Sequence, residues 1–367
     1  MKLCPKVSFV IIGHNEGAHL ADAIQAVLRA QHPVDKKEII YVDNNSTDDS
    51  LAIARRFPVQ VIALAQQSAT PGLARNAGLA ATTGSFVQFI DGDMILHPQW
   101  VAAALPSFEA HNVAAVVGRL QEQHPESSLY NRWFDFIWKN APVGEADAPA
   151  GGGFFRVAAL REVNGYDETL SAAEETDMGY RLRRRDYKIF RLAAPMAQHD
   201  IHMHSFRHFW KRGVRDGYWM MEIVRKYFDG AWPPPQPDIF KMDVQLLAFI
   251  ALLAAFANFP HPALAIVTLG LPVIFLFKKW WHYQHLSGEK GASLLATGFT
   301  YLTLLPVAWG QMQWFFRKPK PIQLTSREKN ARNLRNRSAS HELRNRQRAD
   351  SEDAAAVAPL SLVSGGE

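Results

Sequence analysis

The chain reads as an α/β protein built on a mainly parallel sheet with helices on both faces. Three observations predict it: short runs of β-branched and aromatic residues recur, helix-patterned segments separate them, and polar clusters follow the runs. VSFVII (7–12), EIIYVD (38–43), VQVIAL (59–64), SFVQFID (85–91) and VAAVVG (113–118) are the expected strands. Segments such as EGAHLADAIQAVLRA lie between the first four, with Leu20, Ile24, Val27 and Leu28 at helical spacing. Ligands of such sheets bind beyond the carboxyl ends of the strands. The clusters GHNE, DNNSTDDS and DGD all fall there.

From 119 to about 200 the pattern is less regular, with a glycine-rich AGGGFF (150–155) that reads as flexible and a helix expected from Glu174 to Arg185. Aromatic and basic residues then interleave in SFRHFWKRGVRDGYWMMEIVRKYF (205–228). This suits a helix at a membrane interface better than a nucleic-acid surface. A proline-rich linker, WPPPQP (232–237), leads to apolar runs at 244–259, 263–277 and 294–316. The last is long enough for a bilayer core needing ~20 residues, and the first two are marginal. The segment after 316 is more basic than the connection 278–291, so the tail is expected in the cytoplasm with the N-terminal domain. An even number of crossings follows: two full spans, with one run interfacial or re-entrant. The polar tail, with LRNR at 334–337 and 343–346, reads as disordered.

With 367 residues, 48% of them hydrophobic, the chain can bury a sizeable core. The net charge of +5 does not by itself choose between nucleic acid and an anionic membrane; the membrane runs favour the membrane. The single cysteine, Cys4, excludes an internal disulfide framework and a multi-cysteine zinc site. The first apolar run meets His14, Asn15 and Glu16 too early for a signal-peptide core, so a cytoplasmic N-terminal domain is expected.

The Asp91-Gly92-Asp93 triplet could be only a tight turn. An EF-hand is excluded, because a loop counted from Asp91 meets Leu96 and Ala102 where it needs glycine and glutamate. The chemical reading is a hard-cation site for Mg²⁺ or Mn²⁺, its shell completed by phosphate oxygens of a substrate. Asp43, at a strand's carboxyl end, can accept hydrogen bonds from a base or ribose, whereas Ser46, Thr47 and Asp48 suit helix capping. Arg75 lies on a small-residue helix that can approach a nucleotide, with a salt bridge to an acid as its competing role.

VSFVIIGHNEGAHL, YVDNNSTDDS, ARNAGLAATTG, FIDGDM, GGGFFRVAALREVNGYDE and EETDMGYRLRRRDYKI, in this order, resemble the family 2 glycosyltransferases with the GT-A fold over roughly residues 5 to 215. The resemblance implies inverting transfer from a nucleotide-sugar, commonly a UDP-sugar, with a divalent metal on the DxD pair. It implies a donor nucleotide site at Ile12, His14, Glu16, Asp43, Arg75 and Asp91, and a metal at Asp91 and Asp93. Of His199, His202, His204 and His208, His204 is the favoured additional metal ligand. Glu175, beside Glu174, stands where the family has an aspartate base; glutamate has similar basicity and a longer reach. The bland alternative for this acidic cluster is a favourable charge at a helix N-terminus. Asp186 replaces a frequent glycine, and His14 an aromatic. Arg212 and Arg215 are candidates to neutralise the leaving diphosphate, and membrane attraction explains them equally well.

The expected organisation is a GT-A domain over 1–204, interfacial helices and linker over 205–240, membrane segments over 241–317 and a tail over 318–367. The expected partners are a nucleotide-sugar, a lipid-linked or saccharide acceptor and a membrane, without nucleic acid. A sugar-phosphate nucleotidyltransferase is the alternative enzyme, although IIGHNEGAHL lacks the arginine-bearing glycine-rich loop that reaction needs. A catalytically silent nucleotide-binding scaffold is the non-enzymatic alternative.

Overall fold

The computed structural model describes residues 6–31, 37–65, 70–149, 151–227, 244, 248, 250–251, 253–255, 257–259 and 261–317. Cys4, the linker 232–237, six residues of the run 244–259 and the tail from 318 lie outside the described residues. Among the described residues nine strands form one sheet: β1 (Val7–Gly13), β2 (Glu38–Asp43), β3 (Gln60–Ala63), β4 (Phe86–Asp91), β5 (Met94–Leu96), β6 (Val113–Glu122), β7 (Gly144–Glu145), β8 (Phe154–Arg156) and β9 (Lys188–His199). Their order is β3-β2-β1-β4-β8-β6-β9-β5, with β7 paired to β9.

The first four strands pair in parallel, Ile12 opposite Val42 on one side and opposite Asp91 on the other. β2 and β3 lie to one side of β1 and β4 to the other, so the order reverses between β1 and β4. A crevice opens at such a reversal, beyond the strands' carboxyl ends. Phe9, Ile11 and Tyr41 pack on one face of the sheet, with helix α1 (Leu20–Arg29), and Val10, Ile40 and Phe89 on the other. That second face takes α3 (Pro71–Ala81), which follows the short α2 (Ser50–Ala54). Thr70 accepts the Leu73 amide at 3.2 Å and Pro71 opens the helix, a well-formed N-terminus. A methyl group at Gly78 would lie 2.2 Å from Val10 Cγ1, so glycine is what lets α3 sit this close to β1.

Phe154 and Phe155 contradict the flexible reading of AGGGFF, whose Ala150 lies outside the described residues. Phe154–Arg156 runs antiparallel between β4 and β6, with Phe154 and Phe155 fully buried in the middle of the sheet. The apolar pair outweighs the glycines before it, and Gln88 of β4 fixes that approach by donating to the Gly152 carbonyl.

Helices α4 (Trp100–Ala104), α5 (Leu129–Lys139), α6 (Val157–Glu162) and α7 (Glu174–Arg183) complete the α/β body. Longer helices follow, among them α8 (Phe206–Tyr227), α9 (Pro262–Ser287) and α10 (Lys290–Phe316). Phe209, Gly213, Gly217 and Ile223 are buried on α8. Cβ atoms at Gly213, Gly217 and Gly310 would collide with Pro306, Val307 and Val214, so α8 and α10 touch backbone to backbone. Trp133 of α5 stacks on Phe299 of α10 at 5.5 Å. Among the described helices, α10 is the one long and apolar enough to cross a membrane, where the sequence predicts two spans.

Candidate active site

The GHNE and DNNSTDDS loops, after β1 and β2, are sewn together. Asn15, with φ of +58°, accepts the Thr47 amide at 2.8 Å, and Asp48 accepts the Gly17 amide at 2.9 Å and the Ser50 amide at 3.0 Å. This left-handed conformation is one that asparagine adopts more readily than most residues. Asp48 therefore latches the two loops together from the residue before the α2 N-cap, Asp49, which makes no side-chain cap bond. Asp43 is 1% exposed and accepts from the Tyr41 hydroxyl at 3.0 Å and the Ser46 amide at 2.9 Å. It lies beneath the loops, whereas its neighbour Asn44 lines the cavity.

That cavity has a volume of about 540 Å³ and is polar. It gathers Ile12, His14, Glu16, Arg75, Asp91, Asp93, Glu174, Glu175, Arg212 and Arg215 from the sequence-predicted site. Asp43 and His204 are not part of its wall. His204 is exposed near His202, their rings 6.1 Å apart.

Arg75 organises the acids. Its guanidinium, with a side chain 3% exposed, meets Glu174 at 2.7 Å, Asp91 at 3.0 Å and Glu175 at 3.3 Å, and it lies over the Tyr166 ring. The salt bridge weighed as the competing role for Arg75 is thus present three times. Burial opposes its charge, but Asp91 and Glu175 more than compensate and hold it protonated. Burial also raises Asp91, against the pull of Arg75.

Asp93 meets a different partner. The antiparallel register that sets Met94 of β5 opposite His199 of β9 brings the imidazole next to the preceding residue, Asp93. His199 Nε2 lies 3.1 Å from Asp93 Oδ2, and Trp138 stacks flat on the ring at 5.3 Å. Burial pushes Asp93 up, but the His199 hydrogen bond and charge prevail and leave it below its ordinary range. His199 is raised in return, burial notwithstanding. Of the four histidines the sequence offers, the structure brings His199, not His204, to the aspartate. The signal that could have found it is the pairing of a three-residue strand, which has no sequence pattern of its own.

Glu16 and Glu175 go the other way. Burial, then Asp93 and Asp91, push Glu16 up to about 7. Burial, then the charge of Glu174, push Glu175 up to about 8. Glu175 stands in the first turn of α7, entered through Ala173 with φ of +63° and ψ of 17°, a left-handed conformation that is uncommon for alanine. Arg212 and Arg215 reach the cavity from α8, both beside Asp216, at 3.8 Å and 3.0 Å.

The residues present fit a divalent cation. Asp93 Oδ1 is buried without a hydrogen-bond partner, aspartate and histidine are suitable donors, and Asp91 stands two residues away. No group of three or more acidic, histidine or cysteine side chains forms a ready-made cage among the described residues. A hard ion that keeps water and takes phosphate oxygens needs only one or two carboxylates.

Residues 8–163 match the family model described as Glycosyl transferase family 2. Residues 8–163 thus carry a family 2 glycosyltransferase domain. The glycosyltransferase AglE of Haloferax volcanii is 28% identical over 135 residues, which is 36% of this chain and 44% of that protein. The beta-monoglucosyldiacylglycerol synthase of Synechocystis is 23% identical over 269 residues, 68% of this chain and 54% of that one. The chain thus spans about half the length of these relatives. The mannosyltransferase PcManGT of Pyrobaculum calidifontis, solved with GDP-Man and Mn²⁺, superposes with a TM-score of 0.56 at 20% identity, covering 82% of this chain and 88% of that one. This likeness establishes the GT-A architecture of the family 2 domain.

Proposed function

We propose that the protein is a membrane-attached, metal-dependent glycosyltransferase that moves a sugar, with inversion, from a nucleotide-sugar to a lipid-linked or saccharide acceptor. The observation that carries this reading is the convergence of Asp91, Asp93 and Glu175 on one cavity, with Arg75 bridging the first to the last. Family membership supports the nucleotide-sugar donor, and the name of the Synechocystis relative supports a lipid acceptor.

Asp91 and Asp93, with His199 behind Asp93, would hold Mn²⁺ or Mg²⁺, which when bound supplies positive charge to the leaving diphosphate. Ile12, His14 and Glu16 line the donor side of the cavity, and Arg212 and Arg215 offer further positive charge to the diphosphate. Asp43 acts on the nucleotide through the loop it anchors. Glu175 accepts the proton of the acceptor hydroxyl as its oxygen bonds to the anomeric carbon and the bond to the diphosphate breaks. A base raised to about 8 has greater proton affinity than an ordinary carboxylate, and it is partly ionised near neutrality.

The test is nucleoside diphosphate release across a panel of nucleotide-sugars, UDP-sugars first, with and without Mn²⁺ or Mg²⁺. Release that needs the cation and rises with a lipid or saccharide acceptor is expected. Failure to bind any nucleotide-sugar with either cation would overturn the reading.

A further inference from the structure

We propose that α10 does not cross the membrane but lies along its surface, embedding one apolar face in a single leaflet. The inference rests on the membrane-attachment part of the function proposed above and specifies its geometry. α10 runs parallel to α8 and in contact with it for most of its length. Phe209 meets Phe299 at 5.7 Å, Gly213 approaches Pro306, Val214 approaches Gly310, and Glu222 accepts from Trp314 Nε1 at 2.9 Å.

Over that same stretch α8 carries Lys211, Arg212, Arg215, Asp216 and Glu222. Arg212, Arg215 and Asp216 line the polar cavity. Were α10 to span the hydrocarbon, its middle would carry these charges and the cavity wall into the bilayer. Such groups are strongly disfavoured there.

The rest of α10 agrees with a one-sided contact. Ser293, Ala296, Thr297, Leu304, Pro306 and Gly310 are buried against the protein. Leu294, Leu305, Trp309, Met312 and Phe316 are exposed, at separations of eleven, four, three and four residues that keep them on one helical stripe. α9 adds exposed Val273, Phe277 and Trp281 at i, i+4 and i+8. Lys278, Lys279, Lys290 and Arg317 flank these surfaces, with Trp280 and Trp281 beside them. Cations and amphipathic aromatics in this arrangement suit anionic headgroups and the interfacial zone, which commits the surface to a lipid leaflet.

The two readings of α10 differ in where its ends emerge. In the full chain with Cys4→Ser, single cysteines are introduced as Lys290→Cys, Arg317→Cys and, on the catalytic domain, Glu126→Cys, whose native side chain is 71% exposed. Each is treated with a membrane-impermeant maleimide in right-side-out and in inverted vesicles, with detergent-solubilised protein giving the full extent of labelling. All three should react in the same vesicle orientation and be protected in the other. Reaction of Lys290→Cys and Arg317→Cys in opposite orientations, or protection of either in both, overturns the proposal while leaving membrane attachment intact. Recovery of the unmodified protein in the soluble fraction would instead remove the attachment reading on which it rests.

Discussion

Asp93 and Glu175 share a cavity, yet their surroundings push them in opposite directions. Asp93 receives a hydrogen bond from His199 and is held below the ordinary carboxylate range; Glu175 sits beside Glu174 and rises to about 8. The contrast teaches that a polar pocket need not treat its acids alike. One carboxylate is kept charged, ready for a cation, while the other can exchange a proton near neutrality.

The sharpest break of this contrast is Asp93→Asn. It should lower kcat/KM by several kcal/mol, about 10³–10⁴-fold, and abolish the saturable dependence on Mn²⁺. Steady-state diphosphate release across a Mn²⁺ titration checks this; near-normal cation dependence in the variant would falsify the assignment. On the other carboxylate, Glu175→Gln should cost about 10²–10⁴-fold in turnover with donor affinity retained in calorimetry. The pH profile sharpens the same point. Glu175 accepts a proton only when ionised, so wild-type kcat/KM should fall as pH drops below about 8, and Glu175→Gln should lose that limb. An unchanged limb in the variant would assign it to another group.

Arg75→Met tests what holds the two sides together. Removing the guanidinium leaves buried acids without their counter-charge, a change that typically costs about 3–5 kcal/mol of stability. Chemical denaturation measures it, and an unaltered midpoint would show that the acids are not held by Arg75. The smallest expected effect is that of His199→Gln, about 10–100-fold in metal affinity, the scale typical of residues supporting or completing a metal site. Mn²⁺ titration calorimetry in the presence of nucleoside diphosphate gives the value; unchanged affinity would leave His199 a purely structural partner.

The part of the sheet that is regular was legible from the sequence. Alternating apolar strands and helices fix β1 to β4, and the three polar loops follow from the strands' carboxyl ends. What was not legible depends on long-range pairing. AGGGFF looks mobile because glycine dominates its local propensity, while the burial of Phe154 and Phe155 is decided by strands about 40 and 70 residues upstream. His199 could not be chosen from four histidines without the register of β5 on β9. Asp43 looked open because a strand end is usually accessible; it is buried and already accepts from the Tyr41 hydroxyl and the Ser46 amide, one bond on each oxygen. The sequence left Arg212 and Arg215 of α8 between the diphosphate and the membrane surface; the fold sets them, with Asp216, in the pocket wall.

The left-handed alanine at the head of α7 has a consequence for how this catalyst could be altered. Glycine at position 173 would relax the unfavourable φ of +63°, a conformation that costs a non-glycine residue about 1 kcal/mol. Relief of that local tension would also widen the range of backbone angles from which Glu175 is launched. A search for thermostability would therefore favour Ala173→Gly only if the native torsion outweighs glycine's gain in unfolded freedom, and a search for turnover would favour the alanine. One methyl group would thus set robustness against aim.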